Sequence, residues 1–194
     1  MESLAGTSLS NLPRTADFEA RDLELMHHFS TSVAKTLSCR NDIQDAWALA
    51  LPREAYSCDY LMHGLLALSA LHLDSSSSKK RHDDYAALST THLHKCLARF
   101  REKLANISTE NCVPLFGASS LIAIHVCAQS AMEKYPQPDQ GNSPSQIEML
   151  IKLFNMCRGV EAILAPFRGE IHRSSLSSLL HEDYSLIIDL SRYH

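Results

Sequence analysis

The chain has 194 residues, a formal net charge of -4, 45% hydrophobic and 21% charged residues. That is enough apolar material for one domain with a single core, and a charged fraction too ordinary for disorder as the default. An acidic balance argues against a domain that lives on nucleic-acid phosphates, which needs a basic surface.

Residues 1–16 are rich in Ser, Leu, Gly and Asn without periodicity and are expected to form a flexible arm. No basic start followed by an apolar core marks a secretory signal, so an intracellular chain is expected. A helical region is expected over residues 17–194, with 170–194 giving a weak, mixed signal. The first helix should run over 17–37, because Leu25, Met26, Phe29, Val33 and Leu37 recur at spacings of three and four. Cys39 to Asn41 reads as a break. Asp42 can cap a short helix carrying Ile43, Trp47 and Leu51, which Pro52 should end.

The stretch DYLMHGLLALSALHL over 59–73 leaves almost no polar face on a helical wheel, and such a helix is a buried one. It reaches only ~20 Å, short of the ~30 Å hydrocarbon core of a bilayer, so it reads as a core helix and no membrane span is expected. Gly64 inside it points to a closely approaching neighbour helix, with room for a ligand as the other reading. Asp74 to Ser78 should be a solvated loop. An amphipathic helix over 83–107 should then bury Tyr85, Leu93, Cys96, Leu97, Phe100, Leu104 and Ile107.

An apolar helix follows, with Asn111 as N-cap and Pro114 inside the first turn, where a missing N–H is tolerated. Residues 136–144, PQPDQGNSP, read as a loop, and Ser145 with Glu148 has capping-box spacing. The helix it opens should bury Ile147, Leu150, Ile151, Phe154 and Cys157 and stop at Pro166. No useful strand alternation occurs before residue 170, so the fold class is all-α, a multi-helix bundle-like domain.

Chemistry is sparse. Eleven histidines invite a metal or acid–base site, yet there is no H-E-x-x-H, and His92 with Cys96 supplies only two ligands. His63 and His72 read as hydrogen-bonded histidines at the core or its rim. No C-x-x-C pair nucleates a zinc site, and the six cysteines read as free thiols. With no G-x-S-x-G and no Gly-rich phosphate cradle, no catalytic, cofactor-binding or metal residue is assigned, and the chain is not expected to be an enzyme. Lys79, Lys80 and Arg81 have the composition of a short import signal, and Lys95, Arg99 and Lys103 line one helix face; both also read as solvated charge.

Five separated stretches resemble the regulatory domain of fungal zinc binuclear cluster transcription factors, in the branch of the sterol uptake control protein. They are DLELMHHFSTSVAKTLS (22–38), LPREAYSCDYLMHGLLALSALHL (51–73), Tyr85 with HLHKCLARFREKL (92–104), ENCVPLFGASSLI (110–122) and CRGVEAIL (157–164). The resemblance implies a helical effector domain, in the nucleus or shared between nucleus and cytoplasm, that regulates RNA polymerase II transcription. A sterol or other lipid is the candidate ligand it suggests. The family's compact cysteine cluster has no counterpart here, so contact with DNA is expected only indirectly. The family domain also continues past the length of this chain, which predicts exposed apolar helix faces that a protein partner or self-association covers. A small helical ligand-binding or scaffold protein unrelated to transcription is the alternative.

Overall fold

The computed structural model describes residues 19–76, 79–132 and 164–180, together with residues 151, 158 and 161. Among them every regular element is helical and no strand occurs. The expected arm over 1–16, the loop over 136–144 and the capping box at Ser145 and Glu148 lie outside the described residues.

Helix α1 (Ala20–His28) passes without a break into a π-helical turn, Phe29–Val33, and a last α-helical turn, α2 (Ala34–Thr36). The Ala34 amide donates to the Phe29 carbonyl five residues back, the wider spacing of a π turn. Phe29 and Val33 are fully buried there. Gln44 closes the end of this helix by donating its side-chain amide to the Ser38 and Lys35 carbonyls at 2.6 and 3.3 Å. Asp42 is not the cap. Arg40 occupies that position, and the Asp42 carboxylate instead takes the Arg40 guanidinium at 2.8 Å.

Nor does Pro52 end the helix that follows. The chain runs through α3 (Asn41–Asp45), a second π turn at Ala46–Ala50, and α4 (Leu51–Ala55). The Leu51 amide reaches back five residues to the Ala46 carbonyl, and Pro52, which has no amide, then sits in a first turn where none is needed. The π turn is thus what lets a proline sit inside a continuous helix.

Helix α5 (Asp59–Ser76) is the centre of the fold. Leu61, Leu65, Leu66, Ala67 and Ala70 are fully buried on different sides of it, as a helix with no polar face requires. The helix outruns its expected end. Asp74, placed by sequence in a solvated loop, is 5% exposed and helical. Helix α6 (Lys79–Leu104) begins four residues before its expected start and lies along α5. Helix α7 (Cys112–Met132) crosses both. Asn111 does precede α7 and Pro114 lies in its first turn, but the Asn111 side chain turns backward, accepting from the Ser108 amide at 2.8 Å. By length and apolarity alone α7 would pass for a membrane span. Its buried residues, among them Leu115, Ala118 and Leu121, pack in the common core, which is the position of a core helix.

Ile151, expected on a buried face, is 53% exposed. Pro166 lies inside a 3₁₀ turn (Ala165–Phe167), which leads into α8 (Arg168–Arg173) and a second 3₁₀ turn (Ser177–Leu180). This stretch carries two fully buried anchors, Ile171 and Leu176. Burying a side chain of that size is worth about 1.5–3 kcal/mol, enough to dock a segment of poor periodicity.

Two glycines mark the close approaches. A Cβ at Gly64 would meet Leu121 Cδ1 at 3.2 Å and Cys96 Sγ at 3.4 Å, so α6 and α7 occupy the space beside it. At Gly117 it would meet Cδ1 of the fully buried Leu51 at 2.6 Å. Gly117→Ala is therefore expected to destabilise the domain by up to about 2 kcal/mol net, overpacking of about 1–3 kcal/mol set against a helix-propensity gain of about 1 kcal/mol. Gly64→Ala should be near neutral, because a helix-propensity gain of about 1 kcal/mol offsets a small shift of its neighbours. Urea midpoints of the two variants measure the contrast, and equal effects would contradict the packing.

Candidate functional site

A helix buried on all sides must place its own polar side chains in the core, and each then needs a partner. For α5 those side chains include His63, Ser69 and His72, and neighbouring helices answer two of them with imidazoles.

The most extended contact joins three helices. Glu19 donates its backbone amide to Asp22 Oδ2 at 3.0 Å. Asp22, 8% exposed on α1, receives His92 Nε2 of α6 at 3.1 Å. His92 Nδ1 in turn meets Nδ1 of His63, on α5, at 3.0 Å. One assignment satisfies the whole chain: His92 carries its proton on Nε2 and donates to the carboxylate, and His63 donates from Nδ1 to the bare Nδ1 of His92. Both rings are then neutral. Burial, with His92 and Lys95 nearby, pushes His63 down to about 4, and burial outweighs the Asp22 charge in lowering His92.

A second contact ties α1 to α5 near the surface, with His28 Nε2 3.0 Å from His72 Nδ1. Burial and the neighbouring His72 lower His28. The third lies between α6 and α7. Ser89 donates its hydroxyl to the Ala67 carbonyl of α5 at 3.0 Å, so its oxygen accepts from His125 Nε2 at 2.8 Å. His125 Nδ1 has no hydrogen-bond partner among the described residues, and burial pushes the ring down to about 4. This is a serine–histidine pair without nucleophilic geometry: the serine proton is directed away from the ring, and no acid orients Nδ1. A cleft of about 430 Å³ opens beside it, lined by Leu71, Leu93 and Met132 with Asp74, Ser89 and His125.

The residues singled out in sequence divide clearly. His63 and His72 are the hydrogen-bonded histidines expected. His92 and Cys96 do not act together, since His92 turns to Asp22 and His63. Cys96 is fully buried, its thiol pushed up to about 12, which keeps it protonated. Cys39, Cys58 and Cys112 are also free thiols. Among the described residues no group of three or more His, Cys, Asp and Glu is placed to hold a metal. Arg99 pairs with Glu102 at 3.1 Å on an exposed face, the solvated reading of that basic row. Sequence reasoning missed Asp22, His28, Ser89 and His125. The side chains they meet stand 36 to 70 residues away along the chain, and nothing local announces them.

Histidines held neutral by burial make stability fall in acid. The unfolded chain binds protons near pH 6.5 and the folded His63 and His125 only near pH 4, so across that window the unfolded state holds more protons. Stability is complete above about 6.5 and is lost as pH falls toward 4, at up to ~1.4 kcal/mol per pH unit for each residue. His125→Gln keeps the donor to Ser89 and cannot titrate. Urea unfolding at a series of pH values should show its acid slope reduced by about one proton's worth, and an unchanged slope would contradict the burial of that ring.

Residues 24–184 match the model of the fungal specific transcription factor domain. A Zn(2)-C6 fungal-type transcription factor of Gibberella zeae is 30% identical over 183 residues, 89% of this chain and 36% of the relative. Sterol uptake control protein 2 of Candida albicans is 30% identical over 60% of this chain, and that of Saccharomyces cerevisiae 33% identical over 62%. These alignments cover only 16% and 13% of the two sterol proteins, so the chain spans about a third or less of the curated relatives it matches. With the match extending across α1 to α8 and their all-helical packing, the chain belongs to the family of fungal specific transcription factor domains.

Proposed function

We propose that this chain regulates RNA polymerase II transcription in the nucleus as an effector domain, working by protein contacts and without substrate turnover. The observation that carries the reading is the family match over residues 24–184. Its acidic balance supports a role in which DNA is reached through other protein segments or partners.

Apolar side chains left in solvent are the natural contacts for such partners or for a second copy. Leu23 is 71% exposed, Leu49 55% and Tyr56 73%. A lipid-sensing role is the second reading. It is favoured by two relatives bearing the name sterol uptake control protein and by the cleft beside His125.

Fusion of residues 1–194 to a heterologous DNA-binding module tests the proposal. The fusion should change transcription of a reporter, and Leu61→Asp, which puts a charge into the core, should abolish the change. A stable, nuclear fusion with no effect on the reporter would overturn it. Leu49→Glu with Tyr56→Glu should weaken self-association in sedimentation while stability moves by no more than about 0.5 kcal/mol per site. A monomeric parent chain would remove self-association from the account. Lipid sensing predicts thermal stabilisation by a sterol or fatty acid that grows with ligand concentration as mass action requires. A flat response across a lipid series would eliminate it.

A further inference from the structure

Helix α1 is held by two polar contacts that answer an added proton in opposite ways. At its N-terminal end, His92 already presents Nε2–H to the Asp22 carboxylate at 3.1 Å. A proton gained on the other ring nitrogen, Nδ1, leaves that bond in place and turns it into an ion pair. The 3.0 Å contact with His63 survives by reversing, His92 Nδ1 donating once His63 carries its own proton on Nε2. At the C-terminal end, His28 Nε2 and His72 Nδ1 meet at 3.0 Å, with ring centroids 5.1 Å apart and planes tilted by 52°. One of these nitrogens must donate and the other accept. A first extra proton goes to the far nitrogen of the donor ring and leaves the contact intact. A second has only the accepting nitrogen to go to, and two N–H groups on two cations then face each other.

We propose that the His28–His72 contact is a proton-operated latch: with fewer than two added protons it holds the C-terminal end of α1 on α5, and with two it releases that end while Asp22 stays anchored on His92.

The surroundings fit a latch that opens in acid. Among the described residues, burial opposes charge on His28 most, His72 and His27 oppose it too, and Glu24 favours it. From α6, Tyr85 donates its hydroxyl to Glu24 at 3.3 Å, and Asp84 pairs with Arg21. Both latch rings are only partly buried, so protons reach them without unfolding of the core. The π turn begins at the next residue, Phe29, where the helix already departs from α geometry. Release loosens the apolar contact of Leu25 and Met26 with Leu66 and Ala70. Because the released pair holds one more proton than the docked pair can, each pH unit below about 6.5 shifts the balance toward release by up to about tenfold.

Hydrogen exchange on the full chain at neutral and mildly acidic pH, corrected for intrinsic chemical exchange, tests this. Amides of residues 27–34 should lose up to about tenfold protection per pH unit beyond any loss in a non-titrating variant. Those of 61–70 on α5 should follow only the global acid slope set by His63 and His125, equally in both proteins. The double variant His28→Gln with His72→Asn places non-titrating carboxamides at the contact and should lack the response. The proposal is overturned if residues 27–34 exchange equally at both pH values, or if the double variant loses their protection as the parent does. Should that variant fail to fold, nitrogen NMR of the parent's imidazoles decides. Two separated proton steps for the pair support the latch, and two rings titrating independently like exposed histidines overturn it.

Discussion

The fold depends on the burial of α5. A helix with leucine or alanine on every side gains stability from each neighbour that covers it, and α1, α4, α6 and α7 are all arranged to do so. The same burial imposes a constraint, because α5 carries polar side chains that leave water with it. A buried polar group without a partner costs roughly 1–3 kcal/mol, so the surrounding helices have to bring hydrogen-bonding groups to defined places. His92 meets His63, His28 meets His72, and Ser89 reaches the Ala67 carbonyl. Apolar contact holds the helices together, and these polar contacts specify where along α5 each one sits.

The imidazoles suit that task because a neutral ring offers one donor and one acceptor in fixed directions. A chain of them can pass from a carboxylate on α1 through α6 to α5 with every atom matched. The arrangement stays matched only while the rings are neutral, which ties the fold to pH. The two π turns belong to the same economy of packing. One places Phe29 and Val33 in the core beside the His28 contact, and the other carries the chain through Pro52 without a break.

Much of this was legible in the residues themselves. The apolar run over 59–73 identified the buried helix, the three-and-four spacing of Leu25, Phe29 and Val33 gave the face of α1, and Gly64 marked a close neighbour. What stayed hidden has physical reasons. Pro52 looked like a stop because sequence does not show that a π turn has removed the need for its amide. Asp74 and the serines after it looked like a loop because their composition is that of one, whereas α5 continues through Asp74 to Ser76. The segment near Ile171 and Leu176 lacks periodicity because tertiary contacts, not a long amphipathic face, hold it. The histidine network was invisible for a different reason: each contact joins residues of separate helices, and only packing brings them together.

The central claim is that neutral, hydrogen-bonded imidazoles lock α1, α5 and α6 in register. Long-range proton–nitrogen NMR of the histidine rings at neutral pH tests it most directly. His92 should be protonated on Nε2 and His63 on Nδ1, with a coupling across the hydrogen bond between their Nδ1 atoms. Rings that are charged, or that average both tautomers as solvent-exposed histidines do, would contradict it.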